Sequence, residues 1–168
     1  MTGPKDETKR DNSNIPFVYL NISDKYELIT NKAIETMKYI YENHLNDFDW
    51  YLRANDDTYI IMENLKSFLA DKCPESTEMY GKTLRYFMGP PFNDTFYGEN
   101  LDKGFIQGGA GWLMSRDSLK LFIETTKKDP QFCVMKRGQL EDQEICNCFR
   151  KLNIFPAETR DEESRRGF

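Results

Sequence analysis

Three short stretches of this chain hold side chains able to do chemistry. The first is Asn55-Asp56-Asp57, at the end of the apolar run over residues 48–54. Ligands of open α/β sheets bind beyond the carboxyl ends of strands. In extended geometry alternate residues face one side, so Asn55 and Asp57 are expected to share a face while Asp56 points away. A carboxylate and a neutral oxygen together suit a hard divalent cation such as magnesium or manganese, and such a cation can hold a diphosphate. The second stretch is Glu141-Asp142, at the start of a helical pattern. A carboxylate there could act as a base on a sugar hydroxyl. The third is Gly108-Gly109-Ala110-Gly111, whose glycines permit positive φ and close backbone approach to a ligand. No Gly-Lys-Ser/Thr follows it, so it is not a P-loop. Each stretch also has a plain structural reading: a polar turn after a strand, acids favoured by a helix dipole, and a tight turn.

Alternating strands and helices must position these groups. Residues 16–22 read as a short buried strand, and 48–54 as a second. Ser23 and Asp24 offer a helix cap. Ala33, Ile34, Met37, Ile40, Tyr41 and Leu45 follow three-four spacing, which predicts an amphipathic helix over 28–45. A helix over 63–71 and a strand over 79–84 follow. Residues 89–104, rich in Gly and Pro, read as a long loop. Ser115 is placed to cap a helix running to Lys128. Residues 140–152 give a last helix, and 153–155 a final strand. His44 reads as a surface residue compatible with its helix dipole, and Trp50 and Trp112 as core. No repeat is visible. The pattern predicts one α/β domain over 1–168 with a mainly parallel sheet, a polar loop over 5–15 and a loose charged tail over 158–168.

Composition narrows the function classes. Aromatic residues reach 14%, which excludes a disordered acidic tail. With 23 basic and 28 acidic residues, net charge −5, the chain lacks the basic surplus of a general nucleic-acid binder. No apolar run approaches the roughly 18 residues of a membrane span, and no signal peptide opens the sequence. The four cysteines stand at 73, 133, 146 and 148. With a single His and a Cys-Asn-Cys spacing, they do not form a zinc motif; disulfides fit better if the protein is secretory. Asn21-Ile22-Ser23 and Asn93-Asp94-Thr95 are sequons, compatible with a lumenal setting.

The order of the motifs carries more than any one of them. The stretch Asp-Trp-Tyr-Leu-Arg-Ala-Asn-Asp-Asp-Thr-Tyr at 49–59 closely resembles the strand and metal motif of animal core 1 β1,3-galactosyltransferases, within the broader Fringe-like family. The glycines at 108–111, followed by an aromatic residue and Ser115, resemble the next block. Glu141-Asp142 with Cys148 resembles a third, and Met-Thr-Gly-Pro-Lys at 1–5 looks like the first donor-binding turn. The resemblance covers about residues 1–5 and 16–163. It implies a GT-A-like (Rossmann-like) fold and an inverting, metal-dependent transferase. That enzyme would carry galactose from UDP-galactose to O-linked N-acetylgalactosamine on glycoproteins in the Golgi lumen, using manganese (Mn2+).

The same resemblance assigns roles residue by residue. Asp57 matches the metal-binding acid, and Asn55 stands where the family usually has the first aspartate of its triplet. Lys32 matches a lysine that approaches the donor diphosphate. Met1, Thr2 and Asp24 fall at donor-binding positions, although Lys25 and Tyr26 depart from the family's Gly-Arg. Asp142 matches the general base, and Cys133 and Cys148 match a disulfide pair. The family has a strand before the Met-Thr-Gly turn, a helix after it, a membrane anchor, and a metal-binding histidine beyond the last residue here. The chain is therefore expected to be an incomplete domain, truncated at both ends. Two alternatives accompany this reading. One is a catalytically silent relative that binds UDP, a glycan or a partner protein; the other is a Fringe-type transferase of a different sugar.

Overall fold

The computed structural model describes residues 17–23, 25–84, 104–133, 141–157 and 159–160. A 3-10 turn over Tyr26–Leu28 leads into helix α1, Ile29–His44. Strand β1 is Trp50–Arg53 and helix α2 is Met62–Leu69. Strands β2, Met79–Gly81, and β3, Thr83–Leu84, come next. Strand β4, Phe105–Ile106, is followed by a 3-10 turn at Gly108–Ala110 and strand β5, Trp112–Ser115. Helices α3, Arg116–Lys128, and α4, Glu141–Arg150, precede strand β6, Pro156–Ala157.

The main sheet has the order β1-β5-β2-β6, and β3 pairs with β4 in a second, two-stranded sheet. The fold is α/β as expected, but the sheet is mixed rather than mainly parallel. Strand β5 runs antiparallel to both of its neighbours, and only β2 and β6 pair in parallel. The cause lies in the connections. Parallel neighbours need a long crossover, usually a helix. Strand β5 is entered instead through five residues after β4, and Gly111 at φ +82° completes the turn. Strand β6 does follow a helix, and it is the strand that joins in parallel.

Strand β5 is buried throughout its length, so the sheet is covered on both faces. Trp112 and Met114 face the larger core, where Ile34 and Met37 of α1, Leu119, Phe122 and Ile123 of α3, and Ile145 and Phe149 of α4 meet. Leu113 faces the other side with Tyr80 and with Leu65 of α2. The register pairs Tyr51 with Met114 and Arg53 with Trp112. Period-2 alternation therefore turns Arg53 toward the larger core, on the same side as α4.

Several elements follow the sequence closely. The α1 stripe is buried at Ile34 and Met37. Ser115 caps α3, its hydroxyl oxygen accepting from the Ser118 N–H at 3.2 Å, which satisfies one of the orphan donors of a helix start. Cys133 and Cys148 are disulfide-bonded, and Cys73 and Cys146 are free. Trp112 is core, and His44 is a surface residue whose Nδ1 lies 2.9 Å from Asp47.

Others differ. Among described residues the expected first strand is limited to a single bridge at Tyr19, with Phe17 and Tyr19 exposed and Leu20 buried. Its apolar alternation is real, but its outer face has no cover among those residues. The 79–84 run is split between two sheets at Lys82. The final strand lies at Pro156–Ala157, because Asn153 takes a left-handed φ of 58° to end α4, a conformation Asn tolerates better than most residues. The 5–15 loop and most of the 89–104 loop and 158–168 tail lie outside the described residues.

Candidate active site

Strand β1 ends at Arg53 and delivers the chain into a hydrogen-bonded turn. The Thr58 N–H donates to the Asn55 carbonyl at 3.2 Å, and the Asn55 N–H donates to the Thr58 hydroxyl at 3.1 Å. Residues 55–58 are thus a turn rather than a continued strand. This corrects the expectation that strand alternation places Asn55 and Asp57 on one face: Asp56 and Asp57 occupy the turn's two central positions, and both are exposed. The Thr58 hydroxyl also donates to the Gly109 carbonyl at 3.0 Å, which ties this turn to the glycine turn.

Gly108 and Gly111 are constrained by what surrounds them. A Cβ on Gly108 would stand 3.3 Å from the Asp142 Cβ and 3.4 Å from Glu141 Oε2. Gly111 has positive φ and would crowd the Arg53 carbonyl. Gly109 is more open, its nearest neighbour being Asn55 Nδ2 at 3.8 Å. Close approach at Gly108 lets its N–H donate to Asp142 Oδ2 at 3.0 Å. The other Asp142 oxygen accepts from the Gln143 N–H at 2.9 Å. Both oxygens are oriented, and each keeps a lone pair for a further donor.

Arg53 joins the three segments. One guanidinium nitrogen donates to Asn55 Oδ1 at 2.5 Å and to the Gly108 carbonyl at 3.0 Å. The other donates to Glu141 Oε2 at 2.7 Å. Glu141 is 5% exposed, and its Oε1 has no hydrogen-bond partner among the described residues. Burial pushes its carboxyl up to about 7; Arg53 opposes that rise without cancelling it, and Asp142 adds to it. Helix α4 is also anchored to α1, where the Thr30 hydroxyl donates to Glu144 at 2.9 Å. Lys32 is half-buried two positions beyond Thr30.

The structure therefore gathers Asn55, the glycine turn and Asp142 around Arg53, with Asp57 in the adjoining turn and Lys32 on the helix packed against α4. Met1, Thr2 and Asp24 lie outside the described residues. The central role of Arg53, and the ties made by Glu141 and Thr58, are not evident from motif spacing. One signal was present: a charged residue in phase with Tyr51 on the buried face of an apolar strand.

Among the described residues no group of three or more His, Cys, Asp or Glu forms a ready-made metal cluster. Asn55 Oδ1 is engaged by the arginine, whereas the Asp57 carboxylate is exposed and enters no ion pair there. One carboxylate with open surroundings fits a divalent ion that takes its other ligands from phosphate oxygens and water.

Comparison with known proteins identifies the family. The galactosyltransferase family profile matches residues 9–160, and the chain belongs to that family. Over 154 residues it is 27% identical to glycoprotein-N-acetylgalactosamine 3-beta-galactosyltransferase 1 of Xenopus laevis, covering 91% of this chain and 38% of that protein. It is 26% identical over 122 residues to chondroitin sulfate synthase 3 of Mus musculus and of Homo sapiens, covering 72% of this chain and 13% of each relative. The resemblance to core 1 β1,3-galactosyltransferases carried by the motifs is thus supported along nearly the whole chain. The chain spans well under half the length of these relatives.

Proposed function

We propose that this chain carries the donor and base side of an inverting β1,3-galactosyltransferase, moving galactose from UDP-galactose to O-linked N-acetylgalactosamine on glycoproteins. The observation that carries the reading is the Asp142 carboxylate. It is fixed by the Gly108 N–H on the glycine turn, which Arg53 links to the strand-end turn holding Asp57.

In this reading Asp57 would hold a divalent ion such as manganese, which would supply charge neutralisation for the departing diphosphate. Asn55 acts differently from an aspartate. With Oδ1 engaged by Arg53, it presents its Nδ2 hydrogens, donors suited to a ribose or phosphate oxygen of the nucleotide. Lys32 supplies a second positive charge toward the diphosphate, and Met1, Thr2 and Asp24 complete the nucleotide side. Asp142 accepts the proton of the acceptor hydroxyl as that oxygen bonds to the anomeric carbon. The bond to the UDP oxygen breaks on the opposite face, so the configuration inverts. The disulfide between Cys133 and Cys148 supports a secretory, lumenal location, as expected of a Golgi transferase. No helix among the described residues is long and apolar enough to cross a membrane.

The test is UDP release and product formation with manganese, UDP-galactose and an N-acetylgalactosamine peptide, alongside a panel of other UDP-sugars. Galactose transfer with inversion is expected. Transfer of another sugar alone would favour the Fringe-type reading. UDP binding without any transfer would favour a silent binding relative, a reading that Asn55 itself favours because it removes one acidic ligand. Absence of UDP binding, with or without manganese, would overturn both transferase readings and leave a silent relative that binds a glycan or a partner protein.

A further inference from the structure

Arg53 sits where a charge is costly. The β1 register places it opposite Trp112, on the face of the larger core, and its partner Glu141 is almost wholly buried. A buried ion pair is a poor stabiliser: apolar residues of similar size often serve folding as well or better. Its value here is geometric. The guanidinium is a planar fork with donors at fixed angles, and it reaches Asn55 on its own segment and two groups distant in sequence, the Gly108 carbonyl and Glu141. Gly108 is held at both polar groups, its carbonyl by Arg53 and its N–H by Asp142. A shift of the arginine therefore moves the glycine turn, the Asn55 amide and the Asp142 carboxylate relative to one another.

We propose that Arg53 is a positioning residue: held by its hydrogen bond to Glu141, it sets the spacing between the Asn55 turn and the Asp142 carboxylate. The inference rests on the donor and base roles given above. Glu141 is the arginine's buried partner, its Oε2 accepting from the guanidinium at 2.7 Å, which gives an acid beside the base a role in holding the fork.

The experiment compares the parent chain with an R53M/E141L double variant and with R53K, which keeps the charge and loses the fork. Amide hydrogen exchange is read in the ligand-free chain at Gly108 and Thr58, with α3 as the internal control. UDP affinity is then measured by calorimetry with and without manganese. The double variant should keep the parent's melting temperature. Its exchange at Gly108 and Thr58 should speed up, and UDP affinity should fall about 10–100-fold, as for other residues that orient ligand-binding groups. R53K should fall between parent and double variant in both. Should the double variant fail to fold, R53K decides alone by the same two readouts. Unchanged exchange at Gly108 and Thr58 in folded variants would overturn the proposal and reduce the pair to a structural role. If the parent binds no UDP, the functional reading falls, and the exchange rates still decide whether Arg53 positions the two turns.

Discussion

The two sides of the candidate site are built to opposite rules. On the inner side, Arg53, Gly108, Glu141 and Asp142 are locked by hydrogen bonds, and a Cβ on Gly108 would stand a tight 3.3 Å from the Asp142 Cβ. On the outer side, Asp56 and Asp57 head an exposed turn, followed by Tyr59 at 89% exposure and by exposed Ile61 and Met62. The contrast separates tasks. A general base must be held within hydrogen-bond reach of its proton, whereas charged ligands must enter and leave past the open turn. On the proposed reading, hydrogen-bonded rigidity lies where proton transfer would take place, and access lies next to it.

The largest effect should come from the inner side. Asp142→Asn keeps the shape and removes the proposed base, and transfer is expected to fall about 10²–10⁴-fold while UDP affinity stays near the parent's. A comparable loss of UDP affinity would place Asp142 on the donor rather than the acceptor. Next comes the staple beneath that side. Replacing both Cys133 and Cys148 with Ser opens a link spanning 15 residues and should cost about 3 kcal/mol, read by denaturant unfolding. The glycines sharpen the comparison within one turn. Gly108→Ala should cost about 1–3 kcal/mol, the usual range for overpacking, because its Cβ meets Asp142 and Glu141. Gly109→Ala, facing only Asn55 Nδ2 at 3.8 Å, should cost clearly less.

A smaller effect is set by pH. Burial raises Glu141 from 4.5 to about 7, so the folded chain holds a proton that the unfolded chain releases earlier. That contribution is present below the unfolded value and is lost as pH rises through the folded one. Melting temperatures of the parent and of Glu141→Gln, compared from about pH 5 to about pH 7.5, should diverge in favour of Gln as pH increases. A constant difference would show that Arg53 keeps the acid ionised throughout.

Much of this architecture is legible in the residues themselves. The α1 stripe, the Ser115 cap and the placement of Trp112 follow from local periodicity and capping chemistry, which act over a few residues. Strand direction in β5 does not. It depends on a five-residue connection and on Gly111 adopting positive φ, and the alternation of strands and helices carries no trace of that reversal. The end of β1 is a similar case. Extended alternation holds through Arg53, then the side chain of Thr58 and the carbonyl of Gly109 impose a turn on Asn55 and Asp57. The motif residues were visible because their types are chemically unusual in sequence. The arginine that assembles them was not, since its three partners lie up to 88 positions away. The apolar alternation over 17–20 shows the converse: local pattern indicates which way side chains point, but not what covers them.

Where a cation and a nucleotide sit is the most direct test of a donor site beside Asp57. Paramagnetic broadening by manganese in the presence of UDP, read across the assigned amide spectrum, measures this in one experiment. The expected result is strongest loss of signal at Asp57 and Asn55, weaker loss at Gly108 and Asp142, and weaker still at Asp71 and Glu75. Broadening centred on Asp71 and Glu75, or spread evenly over the surface, would contradict a donor site beside Asp57.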